Sequence, residues 1–381
     1  MKYLDEFRNS DLSKHIIARI NNNAAGERQY RFMEFCGGHT HAFFRYGLVD
    51  LLPANVQLIH GPGCPVCVLP VSRVDLAVKL AMEHRVILCS YGDMLRVPGS
   101  NKISLLSAKA AGADVRMVYS CSDALTIAQH NPSKQVVFFA IGFETTTPPS
   151  ALIIEKAKML NLNNFSVYCN HVLTPAAITS ILESPELRQM GKWSLDGFVG
   201  PAHVSVVIGS QPYEYFAEEY QSPVVIAGFE PLDLLQAIDM LISQVNTGTA
   251  CVENEYSRAV TRSGNEKAKR KVANVFELRK VFEWRGLGSI PYSALKIKDN
   301  YSQFDAEKRF QLDESPGKEN KACLCPAIIR GIKKPWECPL FDNGCTPANP
   351  IGSCMVSSEG ACAAHFTYDR FRHQKTQELE L

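Results

Sequence analysis

The sequence predicts an α/β protein, with two parallel-sheet βαβ domains facing a central crevice and a smaller, cysteine-rich C-terminal domain. Three observations carry this. From about residue 30 to residue 248, short runs of Val, Ile, Leu and Phe alternate with helix-length segments. Runs that are apolar throughout suit strands buried on both faces of a parallel sheet. Cysteine, histidine and glutamate recur just after those runs, where open α/β sheets bind their ligands. From Ser315 to Ala361 the texture changes to Pro, Gly and Cys with little periodicity. Such a segment needs something other than a large core to order it, which points to a metal centre.

Taken in order, Leu12, Ile16, Ile17 and Ile20 mark one face of a helix over 11–20, with Asp11 as its N-cap. The polar stretch Asn21–Arg28 then separates it from the first strand. Candidate strands are Arg31–Phe35, Val56–His60, Val86–Cys89, Val115–Tyr119, Val136–Ile141, Ser166–Cys169, Gly197–Val199 and Val224–Ala227. Helix-like segments between them include Ser72–Glu83, Ser104–Ala111, Ser150–Leu160 and Leu232–Val245. Right-handed crossovers would join them. Divided by sequence order, the strands give two four-stranded units joined near Asn131–Lys134. The expected divisions are an N-terminal helix (1–27), an α/β domain (28–132), a second α/β domain (133–247) and a C-terminal domain (248–381). Both VVFFAIGFE (Val136–Glu144) and VVIAGFE (Val224–Glu230) run a strand into Gly-Phe-Glu, which suggests a shared strand-to-loop geometry. Residues 253–285 are charged and helical in style, and Lys267–Lys271 reads as a solvated helix face.

Composition excludes several classes. A chain of 381 residues with 46% hydrophobic content can bury the cores of two or three domains and is not disordered. Forty basic against 39 acidic residues give no electrostatic reason to expect nucleic acid or a membrane as a partner. No apolar run is long enough to span a bilayer, and the N-terminus lacks the apolar core of a signal peptide. The expected location is therefore the cytoplasm. Thirteen cysteines in a reducing compartment are metal ligands, redox groups or small buried hydrophobes rather than staples.

Three groups of cysteines carry the chemistry. MEFCGGHTH (Met33–His41) sets Cys36 at a strand end, followed by two glycines, His39 and His41. Thiolate with imidazole suits iron, zinc or copper rather than magnesium or calcium. HGPGCPVCVLP (His60–Pro70) holds Cys64 and Cys67 as a CxxC. Its strand-before, helix-after context suits a redox dithiol, although a helix starting near Ser72, capped through Asp75, would leave Cys67 ahead of the first turn. Zinc is the rival, but no second CxxC stands at zinc-ribbon spacing. Cys323, Cys325, Cys338, Cys345, Cys354 and Cys362 form the third group, whose spacing alone admits an iron–sulfur cluster or a structural zinc. Further strand-end candidates are Asp93, Glu144, His171, His203 and Glu230.

CGGHTH (Cys36–His41), HGPGCPVCVLP (His60–Pro70), GDMLRVPG (Gly92–Gly99), GFETT (Gly142–Thr146), GPAHVSVVIG (Gly200–Gly209), AGFEPLDLLQ (Ala227–Gln236), EWRGLG (Glu283–Gly288) and MVSSEGACAA (Met355–Ala364) together resemble the HypD family, maturation factors for nickel–iron hydrogenases. The resemblance runs from about residue 3 to residue 368. It implies a scaffold that, with a small HypC-type partner, assembles an iron carrying two cyanides and one carbon monoxide for the hydrogenase large subunit. A HypE-type partner would donate the cyanide. Cys36 would hold the iron, with His39 as ligand or neighbouring donor and Cys64 and Cys67 as the dithiol at the iron site. A 4Fe–4S cluster would map onto Cys325, Cys338, Cys345 and Cys362, with Cys323 able to replace Cys325. His41, Glu144, His203, Glu230 and Glu359 would supply protons or orient ligands. The alternatives are a stand-alone thiol–disulfide oxidoreductase and an iron–sulfur electron carrier.

Overall fold

The computed structural model describes residues 5–185 and 195–369. The outermost residues of the expected N-terminal and C-terminal segments, 1–4 and 370–381, and residues 186–194 of the expected second α/β domain lie outside that range. The architecture is α/β. One sheet contains β1 (Tyr30–Glu34), β2 (Val56–His60), β7 (Gly197–Pro201), β8 (Val224–Ala227) and β9 (Val252–Asn254) in the order β2-β1-β7-β8-β9. The other contains β3 (Ile87–Ser90), β4 (Val115–Met117), β5 (Val136–Gly142) and β6 (Phe165–His171) in the order β4-β3-β5-β6. Every pairing in both sheets is parallel.

This partition corrects the division by sequence order. The join expected at 131–134 falls inside the second sheet, between β4 and β5. The chain leaves the first sheet after β2, builds the second sheet, and returns at β7. Local apolar pattern reports that a strand is buried on both faces but not which strand lies beside it, so chain order was a poor guide to pairing. β9 also extends the first sheet into a region read as helical.

Two other expectations shift. The first helix, α1 (Ser10–Asn23), is capped by Asn9, whose side chain accepts from the amides of Asp11 and Leu12. Only Glu266–Val275 of the 253–285 stretch is helical. It runs into β10 (Phe276–Leu278) and β11 (Val281–Trp284), which pair antiparallel with β13 (Leu295–Ile297) and β12 (Gly288–Pro291) respectively. The Gly-Phe-Glu repeats do not share a geometry. Gly142 takes φ of +143° and Glu144 reaches across to Thr174, whereas Glu230 sits at the start of the helix Pro231–Thr247 and pairs with Arg8.

The largest apolar core is continuous from residues of both sheets to Cys325, Cys345 and Cys362, so the C-terminal segment folds onto the α/β body. Arg73, in a helix we label α4 (Val71–Met82), ties these parts together. It is buried, donates to Asn170 Oδ1 at 2.5 Å and to Cys169 O at 3.1 Å, pairs with Glu307, and lies 4.4 Å from the Tyr168 ring centroid. Removing one partner of a buried charged network leaves the others uncompensated. Arg73→Met is therefore expected to cost about 3–5 kcal/mol of unfolding free energy. Chemical denaturation checks this, and a loss under about 1 kcal/mol would show the network to be dispensable.

Candidate functional site

The carboxyl ends of both sheets open onto one cleft of about 510 Å³. Phe35 and Cys36 after β1, Gly63 after β2 and His203 after β7 form one side. Tyr91–Met94 after β3, Met117–Tyr119 around the end of β4 and Ile141–Phe143 at the end of β5 form the other, with Ser357–Glu359 alongside. This is where ligands bind between open parallel sheets. Cys36 is the one cysteine among the residues lining it.

Cys36 stands at the N-cap of α2 (Gly37–Arg45), where the chain leaves β1 extended and turns into a helix. The amides of Gly38 and His39 face its sulfur and favour the thiolate. Burial, and then the carboxyl groups of Glu359 and Glu34, outweigh them and push the thiol well above its usual range. The unligated side chain is thus a neutral thiol, and a cation is needed to draw off its proton. Glu34, buried beneath it, accepts the Cys36 amide at Oε2 (3.2 Å) and His60 Nδ1 at Oε1 (2.9 Å). His60 Nε2 lies 3.0 Å from His365 Nε2, which extends the ladder into the C-terminal helix Ala361–Tyr368. Burial raises the Glu34 pKa, opposed by its His60 bond.

The CxxC loop is laid directly on the Cys36 loop. Gly61 N donates to Glu34 O at 2.9 Å, and Gly37 N donates to Gly63 O at 3.1 Å. A methyl group at Gly63 would fall 2.6 Å from Cys36 N, so only glycine permits this approach. Cys64 is the N-cap of a short helix, α3 (Pro65–Val68), and its Sγ accepts the Cys67 amide at 3.3 Å. Proline at the first helical position suits the start of a helix. A helix does begin next to Ser72, as expected, but a short one precedes it and Asp75 does not cap it. Cys67 lies in the turn that Cys64 caps, α4 begins at Val71, and Asp75 instead accepts from Ser100. Cys64 and Cys67 form a disulfide with Cα atoms 5.2 Å apart, and both are buried.

Behind the dithiol lies the third group of cysteines. Ser353 Oγ donates to Cys67 O at 2.9 Å, and the next residue, Cys354, donates its amide to Cys325 Sγ at 3.4 Å. Cys325 and Cys362 hydrogen-bond to the Cys354 sulfur and pull its pKa down, while that of Cys362 moves up. Cys323 meets Cys325 and is raised. Cys345 accepts the Ile351 amide at 3.3 Å and feels the charges of Cys323 and Cys325. Cys338 is buried but makes no such contact. The structure therefore gathers Cys325, Cys345 and Cys362 of the expected set and adds Cys323 and Cys354. Among the described residues, no three His, Cys, Asp or Glu donors converge on a common point. The cysteines share a region, not a coordination sphere. As a donor set, buried thiols that hydrogen-bond one another suit a thiophilic metal or an iron–sulfur group.

The remaining candidates separate. His39 donates Nε2–H to Ala227 O at 2.9 Å, is held neutral by burial with its pKa lowered to about 4, and stacks on Phe229. Its ring is committed away from the cleft, and its amide is what meets Cys36. His203 stacks on the same Phe229 at 4.2 Å and lines the cleft. Burial lowers its pKa. His41 packs edge-on against Tyr368. Glu144 accepts Thr174 N and Oγ1 at 2.8 and 3.0 Å, and burial lifts its pKa to about 7. His171 is buried against Ser150 and lies off the cleft. Glu230, paired with Arg8, also lies off the cleft. Glu359 packs against Gly37 and lines the cleft beside Cys36, as Asp93 does on the opposite side. Glu34, His60 and His365 were missed. Glu34 and His60 stand within the motifs already singled out, but only the register of β1 against β2, which sets Glu34 beside His60, brings them together.

The HypD model, described as the hydrogenase formation hypA family, matches residues 11–369. The chain belongs to the HypD family of hydrogenase maturation factors. It is 63% identical over 372 residues to the hydrogenase maturation factor HypD of Cupriavidus necator H16, covering 98% of each chain. It is 49% identical over 377 residues to that of Rhodobacter capsulatus, covering 97% of this chain and 98% of the relative. Against the Escherichia coli K12 factor, identity is 45% over 373 residues, with the same coverage. Among the described residues, no helix is long and apolar enough to cross a membrane.

The contact between Gly63 and Cys36 gives a direct test of the geometry. Gly63→Ala places a methyl group on Cys36 backbone atoms that have no room to move, so it is expected to cost about 1–3 kcal/mol. The same change should raise the rate at which Cys36 is alkylated, read by mass spectrometry. Unchanged stability and alkylation would show that the loops do not depend on this approach.

Proposed function

We propose that the chain is the scaffold on which the iron unit of nickel–iron hydrogenase, carrying two cyanides and one carbon monoxide, is built before transfer to the hydrogenase large subunit. The observation that carries this reading is the order of the sulfur groups. Cys36 faces the cleft, the Cys64–Cys67 pair lies one glycine behind it, and the C-terminal cysteines lie one serine behind the pair. Iron as cargo would be held by Cys36, whose thiol must give up its proton on binding. Glu34 and Glu359 are the carboxyl groups beside it, and burial raises the proton affinity of both. A HypC-type partner would present its own thiol from the open side of the cleft. A HypE-type partner would bring cyanide to the same opening.

A 4Fe–4S cluster held by Cys325, Cys345, Cys354 and Cys362, the buried cysteines that the structure brings together, would supply single electrons to this side of the dithiol. All four are buried in the continuous core, which limits their contact with water. The dithiol exchanges two electrons and two protons between its thiol and disulfide forms. A small cavity of about 10 Å³ touches Cys64, Cys67, Cys354, His60 and Glu359, so the pair has acid–base groups within reach.

Burial of both sulfurs also argues against a stand-alone thiol–disulfide oxidoreductase. Such an enzyme must offer an exposed attacking sulfur to a protein substrate, and Cys64 and Cys67 are only 4% and 3% exposed.

Two experiments test the reading. Cys64→Ser and Cys67→Ser should each stop hydrogenase maturation in cells while the variant still binds its small partner, because either change removes two-electron exchange at nearly constant volume. Normal hydrogenase activity from either variant would reduce the CxxC to a structural turn. Anaerobically purified protein should carry about four iron and four sulfide per chain, lost in Cys325→Ala and in Cys362→Ala. One zinc and no sulfide would overturn the electron path.

A further inference from the structure

Arg285, in the EWRGLG segment after β11, is a buried cation without enough partners. Its amide donates to Val68 O at 2.7 Å, which fixes it to the end of α3. Gly286 takes φ of +84°, and a methyl group there would lie 2.9 Å from Pro326 Cα, so this turn presses against the segment that follows Cys325. The Arg285 side chain lines a hollow of about 240 Å³ together with Cys323, Cys325 and Gly352. Its Nε and Nη2 are buried and make no hydrogen bond. The nearest carboxylate, Glu319, lies 3.1 Å from Nε and is itself 42% exposed.

Guanidinium is always charged, and burying it without a fully desolvated counter-charge is expensive. The hollow that this side chain lines also holds the sulfurs of Cys323 and Cys325, each 2.6 Å from where a methyl group at Gly352 would lie, so sulfur is within the same hollow as the orphaned N–H donors. We infer that Arg285 is a positioning residue of the cysteine centre, the buried cation that balances its negative charge and donates N–H···S bonds to it. A metal held by four thiolates carries net negative charge, and its reduction potential rises with nearby positive charge and with hydrogen bonds to sulfur. Glu319, which lines the same hollow 3.1 Å from Arg285 Nε, offsets part of this effect.

The inference rests on the reading of the cysteines as an iron–sulfur site, and iron and sulfide analysis of the wild-type protein tests that reading separately. The inference itself is tested by the midpoint potential of the anaerobically purified chain, followed by electron paramagnetic resonance. Arg285→Gln should make the centre harder to reduce by about ten-fold in the reduction equilibrium, which is 59 mV for a one-electron couple. Arg285→Lys, which keeps the charge, should recover at least half of that shift. Glu319→Gln, on the half-exposed rim, should move the potential in the opposite direction by a smaller factor and gives a reading even if both Arg285 variants fail to fold. Potentials within two-fold of wild type in Arg285→Gln with iron and sulfide intact would overturn the inference. So would a Glu319→Gln centre that is no easier to reduce than wild type.

Discussion

The site depends on one backbone contact, the approach of Gly63 to Cys36. A methyl group at Gly63 would lie 2.6 Å from Cys36 N, and the hydrogen bonds Gly61 N to Glu34 O and Gly37 N to Gly63 O hold the two loops in that position. Because β1 and β2 are neighbours in register, their carboxyl ends deliver both loops to the same edge of the sheet. The cleft thiol and the dithiol are adjacent for that reason. The helix that Cys64 caps then meets Ser353, and through it Cys354 and Cys325. Three cysteine groups far apart in the chain become one succession.

Electrostatics around this succession is uneven. On the cleft side, burial keeps the Cys36 thiol, Glu34 and Glu359 toward their neutral forms, and the His39 imidazole is uncharged. A cation entering this side would meet groups that can release protons in exchange. On the other side, the Arg285 guanidinium stands buried among cysteines. A neutral pocket that loses protons to a cation, and a charged pocket that waits for an anion, are different solutions to the cost of desolvation.

Much of this was legible in the sequence, for identifiable reasons. Buried parallel strands leave continuous Val, Ile and Phe runs, so Val56–His60 and Val224–Ala227 were read to the residue. Cys36, Cys64 and Cys67 were legible because glycine and proline beside cysteine mark loops that approach something closely. The partition of strands was not, because pairing between β1 and β7 joins residues separated by a whole inserted sheet and leaves no local trace. The start of α3 was missed because Ser72 and Asp75 mimic a capping pair, while both side chains are used elsewhere, on Glu314 and Ser100. The Glu34–His60–His365 ladder and the orphaned Arg285 are products of tertiary packing and could not be read from spacing.

The central claim is that Cys36 is the thiolate that holds the iron cargo, and infrared spectroscopy of anaerobically prepared chain, co-purified with its small partner, tests it most directly. The wild-type complex should show absorption from cyanide and carbon monoxide bound to iron. Cys36→Ala should lose those bands while keeping its circular dichroism, its partner and the iron and sulfide of the C-terminal centre. Bands that persist in Cys36→Ala would contradict the account and move the iron away from the cleft.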